Sequence, residues 1–492
     1  MRALLFCLCL LAGNAWGADW YVRPDTQGEY GLEDGTDIDN AFDGNADIAW
    51  ASINAGDTLY LCGDWVAADA RFTIADSGSV GNYITLSGDA TACGRSANST
   101  IDRTGLTGAG ARAIAASNTA ATRQYIRIED LTIRNVSAGI LWDHSTTGAV
   151  TDDTSLWVRR VAFENCGTAS GTDGNCIWKR GEGLIVEDST FDGCWEDCIW
   201  YRGKGATITD NTYTNVSFGN DLGDCTQVDL TGVTDSGAVT WSDNYCDHQA
   251  ADNKYGFVIG ATAGAGSSVT VEDNTVLCPL VPTNPLPSKQ CHPIYFDTAT
   301  ETAIVARRNF TQGGEVGISL TAESAAPFST RARIEANVVY KASDRGIWTD
   351  DNVNNIDIWN NTISEAGQEA LYIGDSSASS VNANNNTLIN SASGLFYIGT
   401  PTSRGYNAYS GNAVNVDVNG TPGSTTTGDV TADPQFVGGG NPTDPGGFKT
   451  RSTSPLRRSG TCVYTTGCVP RDFGGRRTRV PPDIGAWQSG AD

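Results

Sequence analysis

The sequence predicts an all-β chain wound as a parallel β-helix, and three observations carry that prediction. First, CIWKRGEG, from Cys176 to Gly183, returns as CIWYRGKG from Cys198 to Gly205, with Cys, Trp, Arg and both Gly displaced by 22 positions. A fixed offset held over so many positions marks a structural repeat. Second, short apolar runs recur: GILWD from Gly139, CIWKR, CIWYR, GFVIG from Gly256, PIYFD from Pro293, GISLT from Gly317, GIWTD from Gly346, ALYIG from Ala370 and GLFYI from Gly394. They are too short for helices, and Gly, Asn, Asp and Ser separate them, so they read as strands. Third, an asparagine precedes a further apolar residue in each following unit, at Asn211, Asn244, Asn274, Asn309, Asn337, Asn361 and Asn386. Two strand signals per unit, with no amphipathic helix between them, exclude a doubly wound α/β sheet.

In such a coil each turn lies about 4.8 Å above the last, so equivalent residues form ladders along the axis. Asparagine suits the bends, because it tolerates left-handed backbone angles and its amides can hydrogen-bond between turns. The same rise falls within the Cα range of a disulfide. Bridges Cys176–Cys198 and Cys166–Cys194 are therefore expected between adjacent turns. Proximity in sequence suggests Cys62–Cys93, Cys225–Cys246, Cys278–Cys291 and Cys462–Cys468.

The first residues, MRALLFCLCLLAGNAWGADWYV, combine an arginine, a short apolar run and small Ala15 and Gly17, as in a secretory signal spanning 1–17. Without it, 12 of the 14 cysteines remain, and 57 acidic residues face 31 basic ones, a balance of −26. An even cysteine count suits an oxidising compartment. The acidic balance disfavours nucleic acid and anionic membrane as partners. Metal ligation by cysteine is disfavoured too, since paired CxxC motifs are missing and the histidines are His144, His248 and His292. The expectation is a secreted or periplasmic monomer without a membrane anchor.

Both ends carry a resemblance. ADWYVRPDTQGEYGLEDGT followed by NAFDGNADIAWASINAGDTLYLCG, and later ADPQFVGGGNPTDPGGFKTRSTSPLRRSGT with PPDIGAWQ, resemble the opening and closing segments of secreted right-handed β-helix proteins of the pectin-lyase-like superfamily. That resemblance implies an N-terminal cap and first strand over 18–60, with a short helix near Asp39 to Ile53 and a first strand in AGDTLYL. It further implies a right-handed β-helix over 61–430 and a C-terminal capping segment over 431–492. It also implies a polysaccharide-degrading enzyme, because the superfamily includes lyases, hydrolases and epimerases. The NTD, DD, GHG and RIK set of polygalacturonases is absent, as are the DPH of uronan epimerases and a clear asparagine–glutamate calcium motif. No cofactor is implied with certainty, and Ca²⁺ stays open. DGNAD, Asp43 to Asp47, offers alternating oxygens without the rest of a calcium loop.

Side-chain alternation from the inward Ile140, Ile177, Ile199, Ile294, Ile318, Ile347, Leu371 and Leu395 sends the next residue outward. The outward row holds Trp178, Trp200, Tyr295, Trp348 and Tyr372, either as a floor for sugar rings or as a satellite core beneath a loop. Two positions on stand Arg180, Arg202 and Asp297, with Lys179, Arg159 and Arg160 near in sequence. They read either as subsites for an anionic ligand or as partners of Asp197, Glu182 and Glu196. The stretch from Cys225 to Gly260 concentrates Asp229, His248, Asp252, Lys254 and Tyr255, and CHPIYFD adds His292, Tyr295 and Asp297. Such a cluster could abstract the proton beside a uronate carboxylate. Lys254 or His248 would then be base, Tyr255, Tyr295 or His292 acid, and Arg180 or Arg202 the neutralising cation. Alternatively Asp229, Asp252 and Asp297 could hydrolyse a glycosidic bond, or the coil could bind carbohydrate or adhere without catalysis. Elimination on an acidic polysaccharide is the preferred expectation.

Overall fold

The computed structural model describes residues 17–487 except 70, 108–110, 117–122, 143–152, 168–173, 217–222, 231–236, 249–253, 262–266, 281–290, 299–302, 322–330, 351–352, 354, 375–379, 400, 440–443, 462–471, 475 and 477–481. The expected signal segment up to residue 16 and the Cys462–Cys468 pair lie outside them. Strands from successive turns stack into three long sheets. Sheet one has 15 strands, ending in Ser403–Gly405; sheet two has 13, from Asp64–Trp65 to Ala408–Ser410; sheet three has 14, from Phe72–Ile74 to Val414–Val418 and Thr421–Pro422. Apart from the antiparallel closing pair of sheet three, neighbours within each sheet run parallel, one turn stacked on the next, as in Ile177↔Ile199 or Ile294↔Ile318. Such stacking is the parallel β-helix that the repeats predict, and every apolar run named above falls in sheet three.

The core is the inside of the coil. Ile140, Ile177, Ile199, Phe257, Ile294, Ile318, Ile347, Leu371 and Leu395 form one fully buried column of sheet three. Phe163, Phe191 and Tyr213 stack in sheet two with ring centroids 4.8 Å apart at each step. Each such side chain contributes about 1.5–3 kcal/mol on leaving water.

Between sheets one and two the chain turns through a buried asparagine ladder. Asn211, Asn244, Asn274, Asn309, Asn337, Asn361 and Asn386 each donate from backbone N and from Nδ2 to Oδ1 of the next rung's asparagine, ending on Asn407, at 2.9–3.2 Å. The second Nδ2 proton goes to a carbonyl of the rung before, as from Asn309 to Val271. The left-handed angle expected of these asparagines belongs instead to the residue before each: Asp210, Asp243, Asp273, Arg308, Ala336, Asn360 and Asn385, all with φ of 55–59°. That neighbour makes the bend, which leaves the asparagine extended enough to aim its amide along the axis.

The expected capping helix is replaced by three one-turn 3-10 segments, Ile38–Asn40, Asn45–Asp47 and Trp50–Ser52. Phe42–Asp43 finds its hydrogen-bond partners on the edge of Asp19–Arg23, and Gly44, at φ 78°, interrupts any continuous helix. The strand within AGDTLYL, Thr58–Leu61, comes third in its sheet, beside Asp19–Arg23, which carries Phe42–Asp43 on its other edge. At the far end the hairpin of Val414–Val418 with Thr421–Pro422 closes sheet three. The C-terminal segment runs back along sheet two, where Phe436, Phe448 and Ala486 pack on Phe310, Val338, Tyr340 and Ile389.

Disulfides join Cys62 to Cys93, Cys225 to Cys246 and Cys278 to Cys291, as expected. The pairings Cys176–Cys198 and Cys166–Cys194 give way to Cys194–Cys198, with Cys166 and Cys176 as buried thiols. The corner of three residues between Cys194 and Cys198 brings their Cα atoms to 5.3 Å, so a bond within one turn competes directly with one between turns.

At the corner entering sheet three a second ladder runs through acids. Asn175 Oδ1 accepts from Asp197 N, Asp197 Oδ1 from Asp224 N, and Asp224 Oδ1 from Tyr255 N, at 3.0–3.1 Å. Burial raises the Asp197 carboxyl to about 8, with nearby Glu196 adding to the effect. The folded state therefore retains a proton that the unfolded chain releases from its ordinary 3.8 upward. This contribution is present in full below that value and is lost as pH rises through about 8.

Two outcomes are expected. Asn309→Ala leaves buried groups of Asn274 unpaired and lowers unfolding stability by about 3 kcal/mol in urea titration. Asp197→Asn keeps the acceptor and removes the charge, so it is neutral at pH 3 and stabilises at pH 9. The gain exceeds about 1.4 kcal/mol, the value of one unit of pKa separation. Thermal melts across that range check it.

Candidate functional site

Chemistry-bearing side chains gather on the outer face of sheet three. Trp178 and Trp200 are partners on adjacent rungs, their rings 5.1 Å apart and 11° from parallel. The Arg180 guanidinium lies 4.6 Å from the first ring centroid and 5.6 Å from the second. Because the rings stack along the axis, their faces meet one another, and a ligand lying on the sheet meets ring edges. The expected sugar floor is thus a row of edges crossed by guanidinium groups. Arg202, one rung from Arg180, pairs with Asp229 on the following rung at 3.5 Å.

Lys179 does not join this face. It is fully buried and points inward in register with Tyr201, its Nζ donating to the carbonyls of Gly181 and Glu182 at 2.9 Å. Alternation sends it to the side opposite Trp178 and Arg180. Arg159 and Arg160 belong to sheet one and its following corner, where they pair with Glu187 and Asp130. Asp197 is committed to the corner ladder, and Glu182 pairs with Lys204 at 3.3 Å.

The centre of the face is an aromatic cluster from two successive strands, Lys254–Ala261 and Cys291–Thr298. Tyr255 stacks on Tyr295 at 4.8 Å, and the His292 ring stands edge-on to both, at 5.6 and 5.7 Å. His292 Nε2 lies 3.1 Å from Glu315 Oε2. Its Nδ1 is buried without a hydrogen-bond partner among the described residues. The Thr321 hydroxyl lies 3.2 Å from both the Tyr295 hydroxyl and Asp297 Oδ1, linking the phenol to the carboxylate. Burial pushes the Tyr255 hydroxyl well above its ordinary value, with the charge potential of Tyr295 adding to it, so it holds its proton.

His248 stands apart. It is fully buried, with Nε2 2.9 Å from the Tyr255 carbonyl and 3.5 Å from Cys225 Sγ, and burial lowers its pKa to about 4. It packs behind the strand whose outer side carries Tyr255, so it is a structural histidine of the corner. Cys225, Cys246 and His248 lie close enough to hold a metal, but the two sulfurs are bonded to each other. Among the described residues no trio of carboxylates converges as a calcium site requires. The Lys254 backbone pairs with Cys291, while its side chain and Asp252 lie outside the described residues.

Asp229, Gly260 and Asp297 occupy one column on successive rungs. A side chain added at Gly260 would meet no described atom within 4 Å, so among the described residues the two acids flank an open position. Their rungs are about 9–10 Å apart at the usual strand spacing.

Beyond this centre lies a charged group that the sequence reading missed. Arg345 pairs with Asp344 at 3.3 Å and Glu369 at 3.2 Å, and its guanidinium covers the Trp348 and Tyr372 rings at 5.3 and 4.2 Å. Tyr372 continues onto Phe396 at 4.7 Å. Burial raises the carboxyls of Asp344 and Glu369 despite the nearby Arg345 charge. Glu315 and Asp344 stand three positions before the inward Ile318 and Ile347. His292, Arg345 and Glu369 stand two before Ile294, Ile347 and Leu371. Aligning backward as well as forward from the inward residue finds Glu315, Asp344, Arg345 and Glu369 beside the already named His292.

A family model described as a right handed beta helix region matches residues 292–416. No curated protein sequence matches the chain. Among solved structures, the chain is similar to a PL6 family alginate lyase, AlyGC, at 13% identity and TM-score 0.49, covering 85% of this chain and 54% of that one. It thus spans about half the length of that lyase. It is similar to pectate lyase Pel9A at 13% identity and TM-score 0.42, over 97% and 98%. The catalytic unit of a GH87 α-1,3-glucanase from Streptomyces thermodiastaticus matches at 11% and 0.42, over 84% and 70%. Sheet order and register define a parallel β-helix of three sheets, and the family match over residues 292–416 is to a right handed beta helix region. No described helix is long and apolar enough to cross a membrane.

Proposed function

We propose that the protein is an exported enzyme that cleaves an anionic polysaccharide by β-elimination on the outer face of sheet three. The observation that carries the reading is the contact cluster of Tyr255, His292 and Tyr295 with Glu315 behind the imidazole. With the Nε2 proton donated to Glu315, His292 Nδ1 keeps its lone pair and serves as base beside two phenols. Tyr255, held protonated, gives its proton to the departing glycosidic oxygen. Arg345, two rungs along from His292, or Arg202 on the other side, neutralises the uronate carboxylate as charge develops at the adjacent carbon. Lys254 remains a second candidate base. Arg180, Trp178, Trp200, Trp348 and Tyr372 would border the outer subsites. Export accords with the four disulfides among the described residues.

A second reading rests on the Asp229, Gly260 and Asp297 column. Two carboxylates flanking an open position at about this separation suit inverting hydrolysis, in which acid and base stand about 6.5–9.5 Å apart. Solved structures of similar fold carry both lyase and glucanase names, so products must separate the two readings.

Incubation with the uronate polymers alginate, pectate and glycosaminoglycans should yield the ultraviolet chromophore of a conjugated unsaturated uronate, while sulfated galactans, which carry no uronate, test for hydrolysis through reducing ends. His292→Ala and Tyr255→Phe each lower that rate by about 10²-fold or more while the melting temperature holds within a few degrees. Reducing ends without the chromophore, lost in Asp297→Asn, would replace elimination by hydrolysis. Neither product across the panel would leave a binding protein. Glu315→Gln should lower kcat by about tenfold or more and move the pH profile, because the imidazole loses its carboxylate.

A further inference from the structure

Four sulfurs form a two-by-two array beneath the Trp178–Trp200 pair. Cys166 and Cys194 are register partners at the end of two sheet-two strands. Cys176 and Cys198 immediately precede the register partners Ile177 and Ile199 of sheet three. All four side chains are within about one percent of complete burial. Cys194 is bonded to Cys198 across the corner of its own turn. Cys166 and Cys176 stand at the same corner one rung earlier, near enough for Cys166 to add to the effect of burial in raising the Cys176 thiol. Cys278 and Cys291 bridge an equivalent corner further along, with Cα atoms 6.0 Å apart.

We propose that Cys166 and Cys176 form a further disulfide, within their turn and parallel to Cys194–Cys198. The bond between Cys194 and Cys198 uses both sulfurs that could bridge between turns, so the remaining thiols have each other as sulfur partners. Two thiols and one disulfide oxidant, such as oxidised glutathione, give the Cys166–Cys176 bond and two molecules of reduced thiol. Two protons and two electrons pass to the oxidant. The reaction belongs to the folding chain, because burial in the finished coil raises the Cys176 thiol far above its ordinary value and shields it from reagents. The second bond also protects the first. Cys176 Sγ lies 3.3 Å from Cys194 Sγ, and a thiol at that distance can exchange with the Cys194–Cys198 bond once ionised. Locking Cys176 to Cys166 removes that attacker and ties down the two rungs that carry Trp178, Arg180, Trp200 and Arg202. The inference stands independently of the reaction catalysed on the face.

The test is disulfide mapping of the full chain exported to an oxidising compartment. It is unfolded without reductant at acid pH, blocked with N-ethylmaleimide, digested and read by mass spectrometry. The expected result is a Cys166–Cys176 linked peptide two hydrogens lighter than its halves, with neither cysteine blocked. Maleimide on both residues, or a Cys166–Cys194 or Cys176–Cys198 peptide, overturns the proposal. In Cys166→Ser the label should appear on Cys176 while Cys194–Cys198 persists. Label on Cys194 in that variant would show the bridge to run between turns, and would equally overturn it.

Discussion

Everything on the surface of this coil depends on one repeated constraint, the rise of a single rung enforced at the buried corner between sheets one and two. Each ladder asparagine satisfies two donors of the rung before and gives its own donors to the backbone and to the rung after. A residue that failed to present Oδ1 at that height would leave buried N–H groups unpaired, which costs more than the bond itself is worth. The ladder therefore sets register, and register fixes which residues meet on the outer face. Where the asparagines stop, at Asn211, Ser189 takes over by accepting from Val161 N and donating to the Glu187 carbonyl, so the constraint passes to earlier turns by a shorter side chain.

Register has a chemical consequence. Side chains one rung apart are held close to van der Waals spacing, so aromatic residues in a column stack on one another and cations in the neighbouring columns lean across them. The Trp178–Trp200 pair with Arg180, and the Trp348, Tyr372 and Arg345 group, are two instances of one arrangement. Within one column Gly260 separates the carboxylates of Asp229 and Asp297, while Glu369 stands in register with Arg345 and pairs with it. Between the two aromatic groups, Tyr255 and Tyr295 interrupt the pattern by bringing an imidazole and its carboxylate to their edges. That interruption makes the centre of the face chemically different from its flanks.

The interior carries two titrating groups of opposite sense at the corner into sheet three. Asp197, protonated in the fold, favours the folded state at low pH. His248, kept neutral by burial, favours it above its ordinary value, and that contribution is lost as pH falls through about 4. Both are hydrogen-bonded through the backbone of neighbouring rungs, so they belong to the frame rather than to the reaction. Spacing along the chain placed His248 among the candidate bases. It could not reveal that the histidine follows the strand Tyr245–Asp247 at an inward position, in contact with the Cys225 sulfur.

The sequence by itself determined the coil. A 22-residue offset, period-two strands and recurring asparagines leave few other ways to bury the apolar residues and pair the backbone. It determined the inward columns and hence the outward Trp178, Trp200, Tyr295, Trp348 and Tyr372, because alternation within a strand is local geometry. Only the tertiary structure decided how the columns meet. The bond between Cys194 and Cys198, the inward turn of Lys179, the partnership of His292 with Glu315 and the entry of Arg345 depend on distances across corners and between rungs. Those distances follow from how tightly each corner closes, which three-dimensional packing fixes and residue spacing does not record.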